Sequence, residues 1–247
     1  MKTLKSFIKN QATRTPYHAI GLAHAVRFAL AGRAQLARWT RRRDFFLDPT
    51  VKVTGWRSVS FGPNCAIGRH TWLNVNHRDS DAPTLEIGAN CFIGQSNFFT
   101  VGHHIRLGEY VLTASNCAFI GSSHVASNPF LPYLATGTTD TDGIDIGANC
   151  FFGYGAQVIG NVRIGFGSII GAGAVVRTDV PPLSVVVDSP ARVVKRYSVV
   201  RAEWVRVEDF DNKEVLPSEQ EYLEQIRQTH PQLLMPLSAA ASHLANI

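Results

Sequence analysis

Residues 146–176 read IGANCF FGYGAQ VIGNVR IGFGSI IGAGAV V, and a large apolar side chain returns at every sixth position: Ile146, Phe152, Val158, Ile164, Ile170 and Val176. Glycine follows it in four of the five full units, and four places on stands a small residue: Cys150, Ala156, Val162, Ser168 and Ala174. Earlier stretches keep this phase. Phe61 and Ile67 go with Cys65 and Thr71, Ile87 and Ile93 with Cys91 and Asn97, and Leu107 and Thr113 with Val111 and Cys117. A six-residue unit is one short strand and one turn. It cannot bury its apolar side alone, so units must stack. Three such strands make one triangular coil, with the large residue filling the prism and the small one facing inward near a corner. The expectation is an all-β core of stacked parallel strands from Phe61 to Val176.

The four cysteines, Cys65, Cys91, Cys117 and Cys150, all occupy the small inward phase. A free cysteine behaves as a small buried hydrophobe, so these are expected to be reduced core fillers. None has the CxxC spacing of a zinc site.

The chain of 247 residues carries a formal charge of +5, gathered at one end. Ten Lys or Arg lie between Lys2 and Arg43 with no acidic residue among them. No aromatic-and-basic motif accompanies them, which argues against a nucleic-acid partner. The segment 1–50 reads as basic and helical. Two readings stay open for it: a helix packed on the open end of the coil, covering exposed strand edges, or a peripheral contact with the anionic inner face of a membrane. Met1–Lys9 is charged and opens no secretory signal, and no apolar run reaches the length of a membrane span. A cytoplasmic protein is expected, with the coil in 51–199 and a C-terminal extension in 200–247. Within that extension, 218–228 is helix-like with Ser218 as its cap.

Three interruptions break the phase. One is 74–84, NVNHRDSDAPT. The second is a slip of two residues between Phe99 and Leu107, containing His103 and His104. The largest is 122–143, SSHVASNPFLPYLATGTTDTDG, which should leave the coil as a loop. His124 stands at the root of that loop. A rigid coil holds such a residue while leaving it open to a cleft, and an imidazole titrates near neutrality. His124 is therefore the candidate general base.

From Leu107 to Arg196 the chain resembles the hexapeptide-repeat acyltransferases, in particular the O-acetyltransferases of galactosides, maltose and capsular saccharides. The resemblance rests on two repeats, a short apolar strand leading to His124, a long loop, and uninterrupted repeats. It continues through Gly171-Ala172-Gly173-Ala174-Val175-Val176 and Pro190-Ala191-Arg192-Val193. It implies a left-handed parallel β-helix and transfer of an acetyl group from acetyl-CoA to a saccharide hydroxyl. His124 would be the base, and no covalent enzyme intermediate forms. Asn97, with His103 and His104, would bind the acceptor; for Asn97 a second reading, a corner residue capping the backbone, stays open. The coenzyme would lie in a groove between coils, shared by neighbouring subunits of a homotrimer, against Gly153, Tyr154, Ala172, Arg177 and Thr178. Arg192 and Lys195 would meet its phosphates. Three positions depart from the family pattern: Phe151 stands where Trp is common, Arg177-Thr178 inverts a Thr-Lys order, and Ser189 replaces a glycine.

Other readings stay beside this one. An N-acetyltransferase acting on an amino sugar would use the same parts. A non-catalytic β-helix scaffold would need none of them. The γ-type carbonic anhydrases hold zinc on three histidines of the same fold, two of them five residues apart; no histidine pair here has that spacing, so no metal is expected.

Overall fold

The computed structural model describes residues 45–76 and 84–229. The basic N-terminal segment, His77 and the apolar stretch 237–247 lie outside the described residues.

The described chain winds as a triangular coil. The first turn is β1 (Phe46–Leu47), β2 (Lys52–Thr54) and β3 (Val59–Phe61). Only its last residue, Phe61, falls within the repeats visible in the sequence pattern. The second is β4 (Ala66–Ile67), β5 (Trp72–Val75) and β6 (Leu85–Ile87). The third is β7 (Phe92–Ile93), β8 (Phe98–Val101) and β9 (His104–Leu107). The fourth is β10 (Leu112–Thr113), β11 (Ala118–Ile120) and β12 (Gly143–Ile146), and the fifth β13 (Phe151–Phe152), β14 (Gln157–Ile159) and β15 (Val162–Ile164). β16 (Ile169–Ile170) and β17 (Val175–Val176) begin a sixth.

Strands of equal rank pair in parallel and form three sheets. Sheet A runs β1-β4-β7-β10-β13-β16, sheet B β2-β5-β8-β11-β14-β17, and sheet C β3-β6-β9-β12-β15. The six-residue phase becomes vertical register. Leu73, Phe99, Phe119, Val158 and Val176 stack along sheet B. Phe61, Ile87, Leu107, Ile146 and Ile164 stack along sheet C. All point inward and are buried. Phe99 and Phe119 stack with ring centroids 4.6 Å apart, and Phe152 meets Phe119 edge-on at 5.1 Å. Burying one such side chain stabilises by roughly 1.5–3 kcal/mol.

The small phase is the inner lining of two corners. Cys65, Cys91 and Cys150 lie where sheet C turns into sheet A, and Cys117 where sheet A turns into sheet B. None of the four forms a disulfide, and all are buried. Each thiol points at the carbonyl of a glycine on the next coil: Gly88, Gly108, Gly165 and Gly153 respectively. Burial pushes the Cys117 thiol up to about 11 and the Cys150 thiol to about 12.

Beyond β17 the coil ends. β18 (Ser184–Val187) still pairs in parallel with β16, but β19 (Arg192–Ser198) and β20 (Glu203–Arg206) return antiparallel. Helix α1 (Glu219–Thr229) then lies across the C-to-A corner. Ser218 caps it in a reciprocal pair: its Oγ donates to Glu221 Oε2 at 2.8 Å and accepts from the Glu221 N–H at 3.3 Å. Leu223 packs on Ala148, Phe166 and Leu183. Tyr222 leans on Phe166, and Arg227 grips both oxygens of Glu109 at 2.8 Å.

Candidate functional site

The three corners of the prism are not alike. Every turn from sheet A to sheet B, and every turn from sheet C to sheet A between β3 and β16, has four residues. The turns from sheet B to sheet C do not keep a length. They are 55–58, 76–84, 102–103, 121–142 and 160–161 in successive coils. All three interruptions of the sequence phase therefore fall on one edge of the molecule.

On that edge the third and fourth coils lie in close contact. A Cβ on Gly102 would sit 2.0 Å from the Gly121 oxygen. No side chain fits there, so glycine lets the two turns touch. The His103 N–H donates to the Asp142 carbonyl at 2.9 Å, tying the third coil to the far end of the long loop. The loop root is closed by Ser122 Oγ on the Thr139 carbonyl at 2.8 Å and by a bridge between His124 and Thr138. Its outer part projects, with Phe130 and Leu134 about nine-tenths exposed. His124 itself is exposed, three residues past Gly121, and so within about 10 Å of it along even a fully extended chain.

His103 and His104 are linked one coil below. His103 Nδ1 and His104 Nδ1 are 2.7 Å apart, and His104 Nε2 is 3.1 Å from Asp145 Oδ2. His104 is the more buried of the two. Its ring occupies the space that a side chain at 143 would need: a Cβ on Gly143 would stand 2.4 Å from His104 Cε1. Asp145 was missed by sequence reasoning. The signal lay in the register, since Asp145 follows Gly143 by two places and faces outward beside Arg106.

Asn97 is not on that edge. It lies inside the prism at the A-to-B corner, 1% exposed. Its Nδ2 donates to Thr113 Oγ1 at 2.8 Å, to the Gly94 carbonyl at 2.9 Å and to the Ala114 carbonyl at 3.1 Å, and its Oδ1 accepts the Cys117 N–H at 2.6 Å. An amide spent in this way has nothing left for an acceptor. The expected acceptor contact is corrected to an internal corner cap, with Thr113 taking a large apolar place in order to satisfy it.

The expected coenzyme residues fall into two groups along the borders of sheet B. Gly153, Tyr154 and Ala172 lie at the A-to-B corner; a Cβ on Gly153 would stand 2.6 Å from the Ala172 nitrogen, so backbone packs on backbone there. Tyr154 is 61% exposed. Arg192 ends the same column, its Nε 2.7 Å from Asp188 Oδ2. Arg177 and Thr178 are exposed on the opposite border, beyond β17, and Lys195 is exposed on β19. A groove of about 510 Å³ follows the A-to-B corner past Gly68, Gly94, Ala114, Ser115 and Tyr154. A larger groove, about 1130 Å³, crosses the outer face of sheet C. Its floor is a charge ladder, Glu86, Arg106, Asp145 and Arg163 in register. No group of three or more His, Cys, Asp or Glu among the described residues could hold a metal ion. No helix among them is long and apolar enough to cross a membrane.

No family profile matches the chain. A Staphylococcus aureus protein, provisionally named an acetyltransferase, is 34% identical over 110 residues, which cover 38% of this chain and 55% of that protein. A Mycobacterium tuberculosis protein, also provisionally named an acetyltransferase, is 26% identical over 198 residues, 79% of this chain and 62% of that protein. The chain thus spans about half the length of the S. aureus relative it matches. Among solved structures, AntD, an N-acyltransferase from Bacillus cereus crystallised with dTDP and coenzyme A, superposes with a TM-score of 0.53 at 15% identity, over 74% of this chain and 90% of that one. At that identity the likeness shows a shared fold.

Proposed function

We propose that this chain is an acyl-CoA-dependent acyltransferase that moves an acetyl group from acetyl-CoA to a hydroxyl of a saccharide or saccharide precursor. The observation that carries the reading is the convergence of every irregular turn, the long loop and three histidines on one edge of an otherwise uniform coil. Rigid scaffolds hold catalytic groups in this way, on loops that the scaffold does not need for its own packing. The acetyltransferase names of the partial relatives and the fold shared with an acyltransferase support it.

In this reading His124 takes the proton of the acceptor hydroxyl as its oxygen bonds to the thioester carbon. The carbon–sulfur bond then breaks, and the proton passes to the departing thiolate. Cys117 cannot serve as a nucleophile, because it is buried and its thiol is pushed up. The A-to-B groove suits a pantetheine arm, since its small residues expose backbone N–H and C=O groups. Arg177, Arg192 and Lys195 are the cations nearest in sequence to receive phosphates. A homotrimer belongs to the same reading. Exposed apolar side chains on the outside of sheet A, Leu112 at 43% and Phe151 at 39%, support association between copies.

The test is release of free thiol from acetyl-CoA against a panel of mono- and oligosaccharides, amino sugars included. Transfer to a hydroxyl is expected. His124→Ala should lower turnover roughly a hundred- to ten-thousand-fold with melting and coenzyme affinity unchanged. Full turnover in that variant would remove His124 from the mechanism. Calorimetry showing no coenzyme binding would instead favour a scaffold.

A further inference from the structure

The chain Asp145–His104–His103 has a directional logic. Asp145 Oδ2 is an acceptor, so the hydrogen on His104 must sit on Nε2 for the 3.1 Å contact to be a hydrogen bond. A neutral His104 protonated at Nε2 leaves Nδ1 as an acceptor. The 2.7 Å contact between the two Nδ1 atoms is then a bond only if His103 is protonated at Nδ1. That places the free lone pair of His103 on Nε2, and the residue is exposed. The carboxylate is itself held: Arg106 Nη1 lies 3.7 Å from Asp145 Oδ1, while Arg106 Nε bonds Glu86 Oε1 at 3.0 Å. Gly143 clears the space for the His104 ring, and the bond from the His103 N–H to Asp142 fixes the backbone. With His104 neutral, four elements thus converge to set which nitrogen of one exposed imidazole carries its proton; a His104 protonated on both nitrogens would reverse the second bond.

We infer that this relay, with both rings neutral, makes His103 Nε2 a hydrogen-bond acceptor at the loop-bearing edge, and that it positions the acyl acceptor by binding a hydroxyl or amine N–H neighbouring the reacting group. The inference rests on the acyltransferase reading for the identity of the ligand, but not for the relay. The class of acceptor it selects is a polyol or amino polyol with a second donor beside the acetylated position. A monofunctional alcohol would lack the group that His103 receives. His103 and His104 were expected to touch the acceptor; the structure assigns them different work, His104 orienting and His103 binding.

The experiment uses the full chain with 15N-labelled histidine. Long-range proton–nitrogen spectra report which ring nitrogen is protonated. His104 should be the Nε2–H form and His103 the Nδ1–H form. Asp145→Asn offers His104 a donor as well as an acceptor and should mix the two forms in both rings. Asp145 is an outward residue of β12, so melting should be retained. With maltose, methyl galactoside and glucosamine as probes, the same variant should raise KM for the sugar roughly two- to tenfold, the worth of one hydrogen bond, and leave kcat and KM for acetyl-CoA unchanged. An Nε2–H form of His103 in the unaltered protein would overturn the relay. So would an unchanged sugar KM in a variant whose spectra show mixed forms. If no probe draws thiol from acetyl-CoA, the acyltransferase reading falls, and the spectra still decide the relay.

Discussion

Two edges of the same prism have been treated differently. At the A-to-B corner every coil turns in four residues. The backbone N–H of Ser96 reaches Arg69, that of Asn116 reaches Gln95, that of Gly155 reaches Ser115 and that of Gly173 reaches Tyr154. His70, Ser96 and Asn116 all take the same left-handed conformation there. At the B-to-C corner turn length varies from coil to coil and histidines gather. The first edge is bound by packing, because each coil must meet the next in register. The second is released from that duty, because the strands on either side of it already hold the register. Freedom to vary is what lets a scaffold carry chemistry.

The strongest way to break this comparison is to lengthen both edges equally. Gly-Ser inserted after Tyr154 should displace the stacked turns and lower the melting midpoint by more than roughly 10 °C, the consequence of several lost kcal/mol in a chain of this size. The same dipeptide inserted after Ser127 should cost well below about 0.6 kcal/mol, since loop closure depends only weakly on length. Equal losses at the two sites, measured by calorimetry, would erase the distinction.

A smaller effect sharpens it. Thr113→Val keeps the shape of the side chain but removes the oxygen that accepts from Asn97 Nδ2 and from the Gly94 N–H at 3.0 Å. Denaturant unfolding should show a loss of about 1–3 kcal/mol. Adding Asn97→Ala should cost less than the sum of the two single changes, because the partners then leave together. The least effect is expected at Arg227→Ala. Its pair with Glu109 lies at the surface, Arg227 exposed and Glu109 half-buried, so the midpoint should move by no more than about 2 °C.

What was legible in the sequence is what packing repeats. Ile146 to Val176 announce their stacking, because the side chain six places on takes the same position on the next face and the one a full coil on stacks against it, as Ile164 does on Ile146 and Val176 on Val158. Cys150 and Cys117 could be placed inside by phase alone. The first coil was visible only at its end, in Phe61: Leu47, Val53 and Phe61 are spaced by six and then eight, too few units to show a period. Asn97 stays open in the sequence between an acceptor contact and a corner cap on the backbone, because its phase says inward while its chemistry says polar, and only Thr113, sixteen residues on, shows what it bonds. Arg177 and Ala172 look like neighbours in the chain but turn different corners. Asp145 had no motif at all; its pairing with His104 depends on a long loop closing so that Gly143 lies beside it.

The reversal of direction after β18 has a wider consequence. A stack of parallel coils has no intrinsic length, and its last rung offers a row of free backbone groups to any similar rung. In sheet A, β19 meets that row from the opposite direction and with a bulge between Val185 and Val186, and β20 pairs in turn with β19. A second molecule arriving with its own coil therefore finds no matching parallel template on this face, and growth into a fibre through it is opposed.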